Sequence, residues 1–330
     1  MTGKRSRLVL PILLLVAGCV SVAPQQTTDT VFMVCPDDFA YNPETAKSNV
    51  FQHRLEDPAE AQRQAVAEFE RMVKTLEAAG VRVVHVHSRR DVKTPDAVFP
   101  NNWFSVHRTA DGNNVLVVYP MLAPDRRAER RVDLVKEKLR SCGIVISRVI
   151  NLANYETQGK FLEGTGSMVL DRVHRVAFAS LSPRTDPDVL EEFCRELDYR
   201  PFSFHSHDSG GKLIYHTNVM MSVGEEFAIV CAEAIKDEAE RSAVLGKLDN
   251  LGKKIIRISL DQTRNMCGNV LELHSRDGTK VIVMSKTAYD HFTEEQRAEL
   301  ATFGTLVPVD ITTIETIGGG SARCMIAEIF

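Results

Sequence analysis

Five stretches of the chain carry apolar residues at helical spacing, and short Val/Ile-rich runs fall between them. The clearest helix opens at Asp57-Pro58, an acceptor side chain followed by a residue suited to a first helical turn. Val66, Phe69, Val73 and Leu76 then recur on one face, and Gly80 ends the pattern. Similar patterns predict helices over 127–141, 186–198, 236–249 and 293–303, the last with Thr293 and Gln296 as a capping box. Strand-like runs lie at 81–87, 115–119, 173–181, 227–232, 255–260 and 280–285. Shorter ones lie at 168–170 and 215–221. Successive helix starts fall roughly 50 to 70 residues apart, which points to a repeated supersecondary unit.

A dinucleotide-binding sheet would also alternate strand and helix, but it needs a glycine fingerprint after an early strand. Gly164 and Gly166 lack a third glycine, and Gly318–Gly320 is not followed by Lys-Ser/Thr. The sequence therefore calls for no nucleotide and no other cofactor. With 330 residues, 44% hydrophobic, the chain suffices for one large domain. A net charge of −4, with no basic block beyond the first few residues, excludes nucleic acid as a partner.

The N-terminus is of another kind. Lys4, Arg5 and Arg7 precede an apolar stretch, 8–18, too short to span a bilayer. Val16-Ala17-Gly18-Cys19 looks like a bacterial lipoprotein signal, in which cleavage leaves Cys19 as a lipidated N-terminus. Residues 1–18 then form the signal and 19–30, rich in Gln, Thr, Ser and Pro, a flexible tether. The protein is expected to be exported and held to a membrane through Cys19, facing the periplasm or the cell exterior. A simple cleaved signal, or a cytoplasmic protein with the signal unused, are the alternatives.

Six cysteines remain beyond Cys19, with no CxxC spacing, and Cys35, Cys142, Cys194 and Cys231 sit among apolar neighbours as core residues would. His85 and His87 alternate along one strand, as do His205 and His207, but no cysteine or carboxylate cluster joins them in sequence, so no metal site is predicted.

Four segments are too polar for their surroundings. Gly318-Gly319-Gly320-Ser321-Ala322-Arg323-Cys324 presents a thiol after a glycine turn that a ligand could approach closely. Leu162-Glu163-Gly164-Thr165-Gly166-Ser167 puts a carboxylate at the mouth of another. Tyr215-His216-Thr217-Asn218 sets a histidine and an amide in an apolar run, and Asp96 with Phe99-Pro100-Asn101-Asn102-Trp103 gathers polar groups around aromatics. Singly these are a buried cysteine, a turn cap, a core histidine and an Asx turn. Together they supply a nucleophile, a base, a carboxylate and an apolar slot, the parts of a covalent hydrolase.

From about residue 31 to the end, these four motifs resemble the guanidino-group-modifying superfamily of arginine deiminases, dimethylarginine dimethylaminohydrolases and amidinotransferases. They look most like its citrulline utilisation hydrolase branch. The resemblance implies an α/β fold, a five-bladed ββαβ propeller (pentein) of pseudo-fivefold symmetry, over 31–330. It also implies Cys324 as nucleophile, His216 as general acid/base and Glu163 as the carboxylate that holds the substrate's NH groups. Arg126 and Arg184 match positions that bind an α-carboxylate, Asp96 one that contacts the α-amino side, and Phe99 would pack on the planar group. Asn269 looks family-typical without an evident role.

Where related deiminases carry Asp, this chain has Asn102 and Asn218. A buried guanidinium wants carboxylates, whereas a neutral ureido group wants donors and acceptors together, which an amide offers. The expected substrate is therefore citrulline, a small amino acid, released as ornithine, ammonia and CO2. Arginine or methylarginine hydrolysis and amidino transfer are the enzymatic alternatives. A non-catalytic amino-acid-binding lipoprotein is the other, although binding alone needs no thiol.

Overall fold

The computed structural model describes residues 23–54 and 57–330. The signal segment and Cys19 lie outside the described residues.

Fifteen described strands form five three-stranded sheets, each with an inner, a middle and an outer strand. The middle strands are β1 (Thr30–Cys35), β4 (Asn114–Val118), β7 (Val176–Ser180), β10 (Phe227–Val230) and β13 (Lys280–Ser285). The outer strands are β2 (Arg82–His87), β5 (Ile146–Asn151), β8 (Arg200–Phe204), β11 (Lys254–Arg257) and β14 (Thr305–Val309). The inner strands are β3 (Phe104–Arg108), β6 (Val169–Asp171), β9 (Met221–Val223), β12 (Leu271–His274) and β15 (Ala327–Ile329). Inner and middle strands pair antiparallel, middle and outer strands parallel. A helix bridges each parallel pair, since a parallel connection needs a crossover. These helices are Pro58–Ala78, Val132–Ser141, Pro187–Leu197, Glu238–Asn250 and Glu294–Leu300. This is the ββαβ propeller, and the first blade closes through β15, the last strand of the chain, beside β1.

Local signals explain the helices. Asp57 accepts hydrogen bonds from the Ala59 and Glu60 amides, and Phe69, Val73 and Leu76 are buried. Thr293 and Gln296 cap reciprocally. The second helix begins at Val132 rather than 127, because 125–129 forms a separate 3-10 turn and Arg130 turns extended to pair with Glu156. The apolar run 215–221 is not one strand: Thr217 donates to the Ser167 carbonyl and accepts from the Ser180 amide, which folds 217–219 into a 3-10 turn before β9.

The same device recurs in every blade. A short turn precedes each inner strand: Pro100–Asn102, Gly164–Ser167, Thr217–Val219, 266–269 and 321–325. Register places all five at the C-terminal ends of the middle strands, as in Phe104 opposite Val118 and Met221 opposite Val230. Adjacent turns touch backbone to backbone. A Cβ on Gly164 would lie 2.1 Å from the Asn101 carbonyl oxygen, and one on Gly268 2.3 Å from that of Val219.

At the opposite strand ends the chain enters as a strap. Gln26 donates to the Leu170 and Val223 carbonyls and accepts from the Arg172 amide, Thr27 meets His274, and Thr28 donates to the Ile329 carbonyl. Residues 26–28, assigned to the tether by composition, are buried, because their polar groups complete strand ends that would otherwise be unpaired.

The close approach at Gly268 makes a prediction. Gly268→Ala should lower unfolding free energy by about 1–3 kcal/mol through overpacking, read as a lower urea midpoint at unchanged slope. An unaltered midpoint would show that these turns do not pack as described.

Candidate active site

The five turns deliver the functional side chains to one buried centre. Glu163 is fully buried and precedes the Gly164–Ser167 turn. Its Oε2 meets His216 Nε2 at 2.8 Å and Arg184 Nη1 at 3.3 Å, and its Oε1 accepts from the Leu122 amide at 3.0 Å. Burial opposes its ionisation, but the Arg184 guanidinium and the His216 bond outweigh that and hold the carboxyl well below its ordinary range. An ionised Glu163 accepts, so the proton of neutral His216 sits on Nε2 and Nδ1 is left as the basic nitrogen. That atom faces Gly166, where a Cβ would lie 2.8 Å from it. Burial lowers the His216 pKa to about 4 despite the carboxylate beside it. The imidazole is thus neutral near pH 7, ready to take a proton from a thiol or a water.

Cys324 is nearly buried and receives two amide donors: Asn218 Nδ2 at 3.5 Å and Asn269 Nδ2 at 3.2 Å. Asn269 is fixed in turn, its Nδ2 also reaching the Asn218 carbonyl and its Oδ1 accepting from the Arg323 amide. Two N–H groups thus point at the sulfur and fix its position. Phe99 packs under the nucleophile's loop, where a Cβ on Gly318 or Gly320 would lie 2.7 or 2.8 Å from its ring.

Asn102, Asp96 and Arg126 form a second buried group. Arg126 Nη1 donates to Asn102 Oδ1 at 2.8 Å, and its Nε and Nη2 fork onto Glu129 at 2.8 and 2.9 Å. Arg126 Nη2 also reaches the Asp96 and Phe99 carbonyls. Asp96 Oδ2 accepts from Asn42 at 2.8 Å and Thr45 at 2.9 Å. Three atoms of the centre, Asp96 Oδ1, Asn102 Nδ2 and Asn218 Oδ1, are buried with no hydrogen-bond partner among the described residues. Native interiors leave few such groups, and each costs about 1–3 kcal/mol, so a ligand that meets them recovers that cost.

Every residue the motifs single out, apart from Cys19, thus lies at this centre, but two differ from expectation. Arg126 and Arg184 do not stand free for an α-carboxylate. Arg126 is taken up by Glu129 and Asn102. Arg184 holds Glu163, the Thr45 carbonyl and Ser48, and stacks 4.8 Å over the Tyr215 ring. Their physical role here is to compensate buried carboxylates. The loop after β1, which supplies Asn42, Thr45 and Ser48, carries no motif and was missed. Glu129 carries no motif either; its partner Arg126 lies three residues before it, but that both are buried is visible only in the fold. Asn269 had a signal: like Asn102 and Asn218, it stands just before an inner strand. Ser48 and Tyr215 also line a cavity of about 320 Å³ whose other walls include Lys47, Lys212 and Arg264.

All six cysteines among the described residues are free thiols, Cys142 half-buried and the rest buried. His87 does have ligand-type neighbours, Cys35 and Asp37, and His205 pairs with Glu240.

A propeller of five ββαβ blades with thiol, imidazole and carboxylate at its axis defines the pentein superfamily of guanidino-group-modifying hydrolases. A family model for N,N dimethylarginine dimethylhydrolase, eukaryotic, matches residues 35–330, and the chain belongs to that family. Among solved structures it is similar to the N-terminal domain of ArgZ, a cyanobacterial arginine dihydrolase, bound to substrate. Identity is 18%, TM-score 0.67, and coverage 91% of this chain and 97% of that one. Unliganded AgrE is similar at 19% identity and TM-score 0.70, over 91% of this chain and 39% of its own. A dimethylarginine dimethylaminohydrolase adduct with 4-chloro-2-hydroxymethylpyridine follows at 14% and 0.60, over 92% and 100%. No curated protein sequence matches significantly.

Two outcomes are expected. Because neutral His216 is the proton-accepting form, kcat/KM should fall only as pH drops through about 4; an acid limb near the ordinary histidine value would mean that burial does not govern this group. Asn269→Ala, which removes the shorter donor to sulfur and the acceptor of the Arg323 amide, should lower kcat by about tenfold, the worth of one hydrogen bond that positions the nucleophile. An unchanged kcat would mean that Asn269 does not position the nucleophile.

Proposed function

We propose that the protein hydrolyses the ureido group of citrulline, giving ornithine, ammonia and carbon dioxide through a covalent intermediate on Cys324. The observation that carries the reading is the orientation of Asn102. Arginine has donors only, so the bond from Arg126 Nη1 fixes the Asn102 oxygen toward Arg126 and leaves Nδ2 as its free atom. A free donor meets the ureido oxygen; a guanidinium offers no acceptor to meet it. Asn218 is the complement: with Nδ2 on sulfur, its free Oδ1 accepts from a substrate N–H.

The chemistry follows from these atoms. His216 Nδ1 takes the Cys324 proton, and sulfur forms a bond to the ureido carbon. The bond from that carbon to the terminal nitrogen breaks, and His216 returns the proton so that ammonia leaves. A water then gives a proton to Nδ1 and its oxygen displaces sulfur, yielding the carbamate of ornithine, which loses CO2. Glu163 stays ionised, steadies the imidazolium formed in each half-reaction and accepts from the substrate's NH groups.

Arginine or a methylated arginine is the second reading. It is favoured by the two carboxylates, Glu163 and Asp96, and by what the similar solved proteins are named for. An Asn102→Asp, Asn218→Asp double variant separates the two, since an added carboxylate pairs with guanidinium N–H groups and repels the ureido oxygen. The citrulline-to-arginine preference should fall by tenfold or more, about 1–3 kcal/mol per position. An unchanged preference would mean that specificity resides elsewhere.

We propose further that the protein is exported and lipidated at Cys19. Support comes from the Val16-Ala17-Gly18-Cys19 sequence and from residues 26–28, which enter at the strand ends opposite the thiol, so an anchor there leaves the site unobstructed. Radioactive fatty acid should label wild type and not Cys19→Ser. Unlabelled wild-type protein would refute the anchor.

A further inference from the structure

Cys35 ends β1 and His87 ends β2, and the parallel register sets them directly side by side although 52 residues separate them. Asp37 turns back toward both. His87 Nδ1 lies 3.0 Å from each Asp37 oxygen, and Cys35 Sγ lies 3.8 Å from Oδ1. One ligand atom from each residue falls within 4.8 Å of the other two. In a tetrahedral zinc site with Zn–S about 2.3 Å and Zn–N or Zn–O about 2.0–2.1 Å, ligand atoms stand roughly 3.3–3.5 Å apart. Small side-chain rotations close that difference without moving either strand.

The surroundings favour a built site over a chance surface pair. Asp37 is held from behind: its Oδ2 accepts from the Ser88 amide at 3.0 Å, and Gln62 donates to its carbonyl. Outer partners of this kind orient metal-binding carboxylates. Cys35 is 5% exposed, whereas the His87 side chain is 65% exposed, so the ligands rest on a fixed base and open to solvent on one side. Thiolate, imidazole and carboxylate together select a borderline-soft divalent ion rather than Mg2+ or Ca2+.

We propose that Cys35, Asp37 and His87 bind one divalent cation of the Zn2+ class, with water as the fourth ligand. On binding, the thiol releases its proton to solvent and sulfur coordinates as thiolate. The site lies at the root of the loop that sends Asn42 and Thr45 to Asp96 and Ser48 to Arg184. The cation would pin that loop from outside the catalytic centre.

The test uses untagged protein in a Cys324→Ser background, so that the catalytic thiol cannot bind metal. Titration with Co2+ should give a thiolate-to-cobalt charge-transfer band and the strong visible absorption of a tetrahedral ion, saturating at one equivalent and displaced by Zn2+. Adding Cys35→Ser should abolish the charge-transfer band, and adding His87→Ala, at an exposed position that does not threaten folding, should weaken binding by at least about tenfold. Zn2+ should raise the melting temperature of the background protein and not of the Cys35→Ser version. No charge-transfer band in the background protein, a band that survives Cys35→Ser, or affinity unchanged by His87→Ala would each overturn the proposal.

Discussion

The centre of this molecule depends on how one fully buried carboxylate, Glu163, keeps its charge. Taking an ion out of water costs several kcal/mol even after relaxation, and the cost is met only by close, well-placed partners. Arg184, the Leu122 amide and His216 provide them from three separate segments. Each bond also fixes a function. Arg184 draws in Ser48 and the Thr45 carbonyl, which brings the loop after β1 against the site. The ionised carboxylate sets the His216 tautomer and so turns the basic nitrogen toward Gly166. Glycine there is required, because any side chain would fill the space between Asn102 and His216.

A second constraint is the Arg126–Asn102 bond. Arginine cannot accept, so a single 2.8 Å contact decides which end of the neighbouring amide faces the centre. Glu129, forked onto the same guanidinium, holds Arg126 in place and neutralises it. In the proposed reading, the amide that meets the substrate is oriented by a pair that does not itself touch the reacting atoms. The same logic holds at Asn218, where the sulfur occupies the donor end and leaves the acceptor free.

Much of this was legible in the sequence. The five bridging helices were, because caps and apolar faces are local signals. So were Cys324, His216, Glu163 and Asn102, because polar residues beside glycine turns or within apolar and aromatic runs stand out from their surroundings. What was not legible depends on burial and contacts that exist only in the fold. The run 215–221 reads as a strand until Thr217 finds Ser167 and Ser180. The pairing of Arg126 with Glu129 and of Arg184 with Glu163 is not legible, because sequence does not show that these carboxylates are buried. Residues 26–28 read as tether because polar composition cannot reveal that strand ends across the base of the propeller will bind them. Cys35 and His87 are neighbours only through strand register.

We propose that two amides held in fixed orientations suit a ureido group rather than a guanidinium. The decisive measurement supplies the purified wild-type protein with citrulline and with arginine at equal concentration, and follows ammonia and ornithine release from each. The proposed reading predicts a higher kcat/KM for citrulline, with one ammonia and one ornithine released per turnover. Faster turnover of arginine, or of a methylated arginine, with citrulline untouched would contradict it.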